Sequence, residues 1–108
     1  MIEGVLGFIG AGNMAGALIK GLLHSSTKPE RIIASDLAPE RLAHLAKMHG
    51  IKTTSDNHAL VRECDVIVLA VKPQAIDKVL VQIAGDVQAR HLVVSIAAGV
   101  PGAAIEGK

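Results

Sequence analysis

Gly7-Phe8-Ile9-Gly10-Ala11-Gly12-Asn13-Met14-Ala15 decides the fold of this chain. The apolar run Val5 to Ile9 reads as a strand, and it breaks at a glycine. Beyond the glycines, Met14, Leu18 and Leu22 recur at i, i+4 and i+8, with Ala17 and Gly21 beside them. That is one face of a helix running from Asn13 to His24. Gly10 permits a tight turn out of the strand. Gly12 lacks a Cβ, so backbone can approach a pyrophosphate. Ala15 keeps the helix close to the sheet. With alanine in its third slot, Gly10 to Ala15 fits the dinucleotide-binding fingerprint, in the strand-to-helix context that the fingerprint requires. The free N–H groups and the dipole of the helix start face the anion. An ordinary strand-helix turn with glycines kept for packing is the plainer alternative.

Outward from that turn, short aliphatic runs alternate with helical patterns. Ile32 to Ser35 reads as a second strand. Pro39 opens a helix with the stripe Leu42, Leu45 and Ala46, and Gly50 closes it. Ile51 to Thr54 is a weaker third strand, and Ser55 or Asp56 caps a short helix through Arg62. Val66 to Val71 is unbroken apolar sequence, as in a central parallel strand buried on both faces. Pro73 starts a helix with Ile76, Val79, Leu80 and Ile83 on one face, and Leu92 to Ile96 is strand five. A loop follows from Ala97 to Gly102, and a last helix begins near Ala103. This order predicts an α/β, doubly wound parallel sheet of the Rossmann type with strand order 3-2-1-4-5. Residues 1–108 make one dinucleotide-binding domain, and the pattern reads as a domain cut from a longer chain.

Composition narrows the function classes. Half of the 108 residues are apolar and 19% are charged, which suits a folded domain. Phe8 is the one aromatic residue, and the formal net charge is +1 with basic residues scattered. Neither a basic stripe nor a stacking platform for nucleic acid is present. Cys64 is alone and cannot form an internal disulfide. No basic leader precedes the first strand, and that run is too short to span a membrane. A cytoplasmic location without membrane attachment is expected. His24, His44, His49, His58 and His91 form no i, i+4 pair, and no cysteine sits at zinc-ligand spacing, so no metal site is expected. Cys64 reads as a half-buried filler, and Met14 and Met48 as core-facing residues.

Several residues beyond the turn are candidates for cofactor contact. Asp36 follows strand two, where an acid accepts the adenine ribose hydroxyls and favours NAD over NADP. Ser35 and Arg41 lie beside it and could turn toward a 2′-phosphate instead; the alternative role for Asp36 is a helix cap. Ala70-Val71-Lys72-Pro73 and Ala97-Ala98-Gly99 leave strands four and five beside the switch point, where small residues let backbone approach a nicotinamide ring. Lys72 reads equally as a phosphate partner and as a solvated loop lysine. Asn57 reads from sequence as a cap residue, with the adenosine end as its other role.

Three segments together resemble pyrroline-5-carboxylate reductase: Gly7 to Ala15, Ala70-Val71-Lys72-Pro73-Gln74, and Val94-Ser95-Ile96-Ala97-Ala98-Gly99-Val100. The resemblance runs through the whole chain but covers only the amino-terminal part of that family. It implies hydride transfer from NADPH or NADH to C5 of 1-pyrroline-5-carboxylate, giving L-proline. It also implies pyrophosphate contacts from Ile9, Gly10, Ala11, Gly12, Asn13 and Met14, and ribose contacts from Ser35 and Asp36. Asn57 would meet the adenosine end, while Ala70, Val71, Lys72, Pro73, Ala97, Ala98 and Gly99 line the nicotinamide side. No catalytic residue is carried over. The family's substrate site and its helical domain for homo-oligomer formation fall after Lys108, so this chain alone is expected to be inactive. The alternatives are a non-catalytic NAD(P)-sensing module, a hydroxyacid-type dehydrogenase and a methyltransferase that binds S-adenosylmethionine.

Overall fold

A computed structural model of the chain describes residues 4–25 and 27–96. The strands are β1 (Leu6–Ile9), β2 (Ile32–Ser35), β3 (Lys52–Thr54), β4 (Val66–Leu69) and β5 (Leu92–Ser95). The helices are α1 (Asn13–His24), α2 (Pro39–His49), α3 (Asn57–Glu63) and α4 (Pro73–Ile83). All four strand pairings are parallel, and the order is β3-β2-β1-β4-β5. The expected architecture is therefore the observed one. The loop from Ala97 and the helix expected near Ala103 lie outside the described residues.

Local rules set most element boundaries. Pro39 and Pro73 each occupy the first turn of a helix, where a missing N–H costs nothing. Gly50 ends α2 in the left-handed conformation, at φ 70°. Asp56, not Asn57, is the N-cap of α3, and its side chain accepts the N–H of His58. Asn57 is instead the first residue of that helix, so the cap reading for it fails.

Two apolar layers close the sheet. Phe8, Ile32, Ala34 and Val68 pack against Ala15 and Ile19 of α1 and Leu42 and Leu45 of α2. Ile9, Ile33, Ile67 and Leu69 pack against Leu60 and Val61 of α3 and Ile83 of α4. Gly7 lets α3 approach: a Cβ there would lie 2.6 Å from Leu60 Cδ2 and 2.9 Å from Cys64 Sγ. Cys64 is fully buried rather than half-buried.

The face of α1 differs from the expected one. Ala15 and Ile19 are buried, whereas Met14 and Leu18 are each 41% exposed. Two apolar stripes lie side by side on this helix. The sheet takes the one containing Ala15, because a small side chain allows the close helix-to-strand approach that the glycine turn demands. Met48 on α2 is likewise exposed rather than core-facing. β5 is the outer strand of the described sheet, and Leu92, Val93 and Val94 are exposed on it.

Candidate functional site

The strand order reverses between β2 and β4, on either side of β1, and the turn after β1 is compressed there. The Gly10 N–H donates to Ser35 O at 2.8 Å, and the Ala70 N–H donates to Ile9 O at 2.8 Å. Gly10 has φ 110°, and a Cβ on it would lie 2.5 Å from Ala70 O. Only glycine fits this position, both for its torsion and for its space. Ile9, Gly10, Ser35 and Ala70 are thereby brought together.

Gly12 is the N-cap of α1 and stands in open space. A Cβ added there would meet Arg41 Nη1 at 3.9 Å and nothing nearer. Packing therefore does not require a glycine here. No side chain caps α1, and its first turn carries no acid. The leading N–H groups of a helix have no intrahelical acceptor, so this start can receive an anion. Asn13 and Met14 are exposed on that first turn.

Asp36 is bound more closely to the fold than its sequence position implies. Its Oδ2 accepts the Ala11 N–H at 2.8 Å and its Oδ1 accepts the Ala38 N–H at 2.8 Å. The N-cap of α2 is Ala38, so Asp36 braces the turn before the helix rather than capping it. Arg41 Nη1 lies 3.6 Å from Asp36 Oδ2, with side chains 58% and 12% exposed respectively.

Ser35 is buried, and its hydroxyl donates to Asn57 Oδ1. Asn57 Nδ2 donates in turn to Gln82 Oε1 at 2.8 Å. This chain joins the end of β2 to α3 and α4. Gln82 has no signal in the sequence, since it is one polar residue on an amphipathic helix. Lys72 is exposed at the N-cap of α4, and Val71 beside it packs on the core. Ala97, Ala98 and Gly99 lie outside the described residues, although the Ile96 N–H donates to Leu69 O at 3.0 Å just before them.

A cleft of about 460 Å³ between α1 and α2 opens on Gly12 and Asn13. Lys20, Arg41 and His44 line it, and Glu40 is the one acid in its lining. Sequence reading missed Lys20 and His44, because they fall on separate helices. Elsewhere, burial and the neighbouring Asp65 push the Cys64 thiol up to about 11, which removes it as a nucleophile near neutral pH. Among the described residues no cluster of His, Cys, Asp and Glu could hold a metal ion. No helix among them is long and apolar enough to cross a membrane.

The family model described as NADP oxidoreductase coenzyme F420-dependent matches residues 5–99. A pyrroline-5-carboxylate reductase of Methanosarcina acetivorans is 44% identical over 89% of this chain and 36% of its own. A solved pyrroline-5-carboxylate reductase from Coxiella burnetii superposes with a TM-score of 0.85 at 34% identity, over 98% of this chain and 40% of that one. The Plasmodium falciparum pyrroline carboxylate reductase, solved with NADP bound, has a TM-score of 0.76 at 30% identity, over 99% of this chain and 38% of that one. The chain thus spans well under half the length of these relatives.

Proposed function

This chain belongs to the family described as NADP oxidoreductase coenzyme F420-dependent, and from that membership we propose that it is the cofactor-binding domain of a pyrroline-5-carboxylate reductase. NADPH or NADH, when bound, supplies a hydride to the imine carbon C5 of 1-pyrroline-5-carboxylate, and with a proton on nitrogen the product is L-proline. The observation that carries this reading is the open space at Gly12, beside an uncapped helix start, in a turn pinned between Ser35 and Ala70. The Plasmodium relative with NADP bound supports it, as does the Methanosarcina relative's name.

The residues then take these parts. Backbone from Ile9 to Met14 cradles the pyrophosphate. Ser35, Asp36 and Asn57 border the adenosine end, with Ser35 and Asn57 tying β2 to α3. Ala70 to Pro73 and Ala97 to Gly99 flank the nicotinamide. A protonated imine is already electrophilic, so holding the nicotinamide against it accounts for much of the catalysis. No catalytic residue is assigned to this chain. In the complete enzyme a further domain holds the substrate and pairs the subunits as a homo-oligomer, in the cytoplasm and without nucleic acid or membrane.

Titration of the chain with NADPH, NADH and S-adenosylmethionine, followed by nicotinamide fluorescence and calorimetry, tests the binding role. Saturable binding of a nicotinamide cofactor is expected, and its absence overturns the reading. Assay with 1-pyrroline-5-carboxylate tests the division of labour. Turnover comparable to a complete reductase would overturn the assignment of substrate binding to a further domain.

A further inference from the structure

We propose that Gln82 is a positioning residue for the adenosine end of the cofactor, acting through the side-chain amide of Asn57. The inference rests on the reading of Asn57 as a neighbour of adenosine. Asn57 is held from two sides. The Ser35 hydroxyl donates to its Oδ1, and its Nδ2 donates to Gln82 Oε1 at 2.8 Å. An amide oxygen has two lone pairs and an amide nitrogen two hydrogens, so one of each remains for a nucleotide. Ser35 cannot fix that amide by itself. A hydroxyl donates as readily as it accepts, so on Ser35 alone the amide can turn over and exchange its oxygen for its nitrogen. Gln82 supplies the second point of attachment, and a turnover then requires its own amide to turn as well.

Gln82 is itself well anchored, although it is exposed. The next residue, Ile83, is fully buried in the layer that contains Leu60 and Val61 of α3. Asp86, four residues on, accepts from His58 Nδ1 and lies 3.5 Å from Arg62 Nε. Two successive residues at the start of α3 are thus tied down, Asn57 to the last turn of α4 and His58 to the turn after it. At the other side of the amide, Ser35 is 1% exposed, so its hydroxyl has little room to follow Asn57 elsewhere. A residue that stays exposed, touches no proposed cofactor contact except Asn57 and carries a polar amide on an amphipathic helix is placed to hold that contact rather than to fill the core.

The test is a calorimetric titration of the chain with NADPH, NADH and AMP, for the natural sequence and for Gln82→Leu, which removes the acceptor and keeps the stem. Gln82→Leu is expected to bind each nucleotide about fivefold more weakly, by the same factor for AMP as for the dinucleotides, because the loss lies at the adenosine end. Gln82→Glu keeps an acceptor oxygen and should retain most of the affinity. Asn57→Ala should also weaken binding, and adding Gln82→Leu to it should weaken binding no further, since Gln82 acts only through Asn57. A role of Gln82 in stability alone would give additive losses instead. Unchanged affinity in Gln82→Leu, or additive losses in the double variant, overturns the proposal for Gln82 while leaving the cofactor site standing. Failure of the natural sequence to bind any of the three nucleotides overturns the cofactor site itself, and this inference with it.

Discussion

The carboxylate of Asp36 accepts the backbone N–H of Ala11 at 2.8 Å, across a sequence separation of 25 residues. One side chain thereby ties the loop after β2 to the glycine turn after β1. Ala11 is 5% exposed, so water cannot readily replace the lost acceptor. Asp36→Ala is expected to cost about 1–3 kcal/mol of stability, the penalty for stranding a buried donor. Asp36→Asn keeps one acceptor oxygen and should cost less. Urea denaturation measures both; an unaltered midpoint in Asp36→Ala would show that the tie carries no stability.

Gly10 and Gly12 should respond differently to alanine. Gly10→Ala faces φ 110° and a carbonyl oxygen 2.5 Å from the new Cβ, so the backbone must move. The torsion alone costs roughly 1–3 kcal/mol. Gly12→Ala meets no atom nearer than 3.9 Å, and its stability should stay within about 0.5 kcal/mol of the natural chain. If the proposed pyrophosphate site is there, cofactor affinity should nonetheless fall in Gly12→Ala, because the methyl group would occupy the space through which the phosphate approaches. Thermal melts paired with NADPH titrations separate the two effects, and retained affinity in Gly12→Ala would be evidence against the pyrophosphate site.

Cys64 is expected to be inert in the folded chain. Its side chain is fully buried, and burial with the nearby Asp65 pushes its thiol up to about 11 from 9.0. Reaction with a thiol reagent at pH 8 should therefore follow protein opening and accelerate sharply in urea. The unfolded chain releases the thiol proton at lower pH than the folded chain does. Stability should thus decline as pH rises from 9.0 toward about 11, and Cys64→Ala should remove that part of the slope. Rapid labelling of the native chain would contradict this burial.

Acid should loosen the contact between α3 and the turn after α4. Asp86 accepts from His58 Nδ1 and lies 3.5 Å from Arg62 Nε. The hydrogen bond from His58, and then the charges of His58 and Arg62, hold the Asp86 carboxyl below its usual 3.8. A depressed carboxyl stabilises the fold above its unfolded value and loses that effect as pH falls through the folded value. Asp86→Asn should therefore lower the melting temperature at pH 7. The difference should vanish once the pH is well below 3.8. A constant difference across this range would remove ionisation as its cause.

Much of the fold was legible before any coordinates. The first helix and α4 have the expected spans, and Gly50 closes α2 as expected, because prolines, glycines and hydrophobic period act within a few residues. Strand ends were less so: the run from Val66 to Val71 yields a strand ending at Leu69, since pairing with β1 stops where the chain turns away. At the site, Gly10 was readable from its spacing alone. The state of Ser35 and Asn57 was not, for their hydrogen bond joins β2 to α3.

The sequence by itself determined a parallel, doubly wound sheet and the position of its glycine turn, because each depends on local torsion and on the alternation of strand and helix. Only the tertiary structure decided that Ala15 and Ile19, not Met14 and Leu18, face the sheet. It alone decided that both oxygens of Asp36 are held by backbone donors and that Arg41 overhangs Gly12. These are relations between elements distant in sequence. They follow from how closely helices and strands approach one another, a quantity set by packing of the whole domain and carried by no single segment.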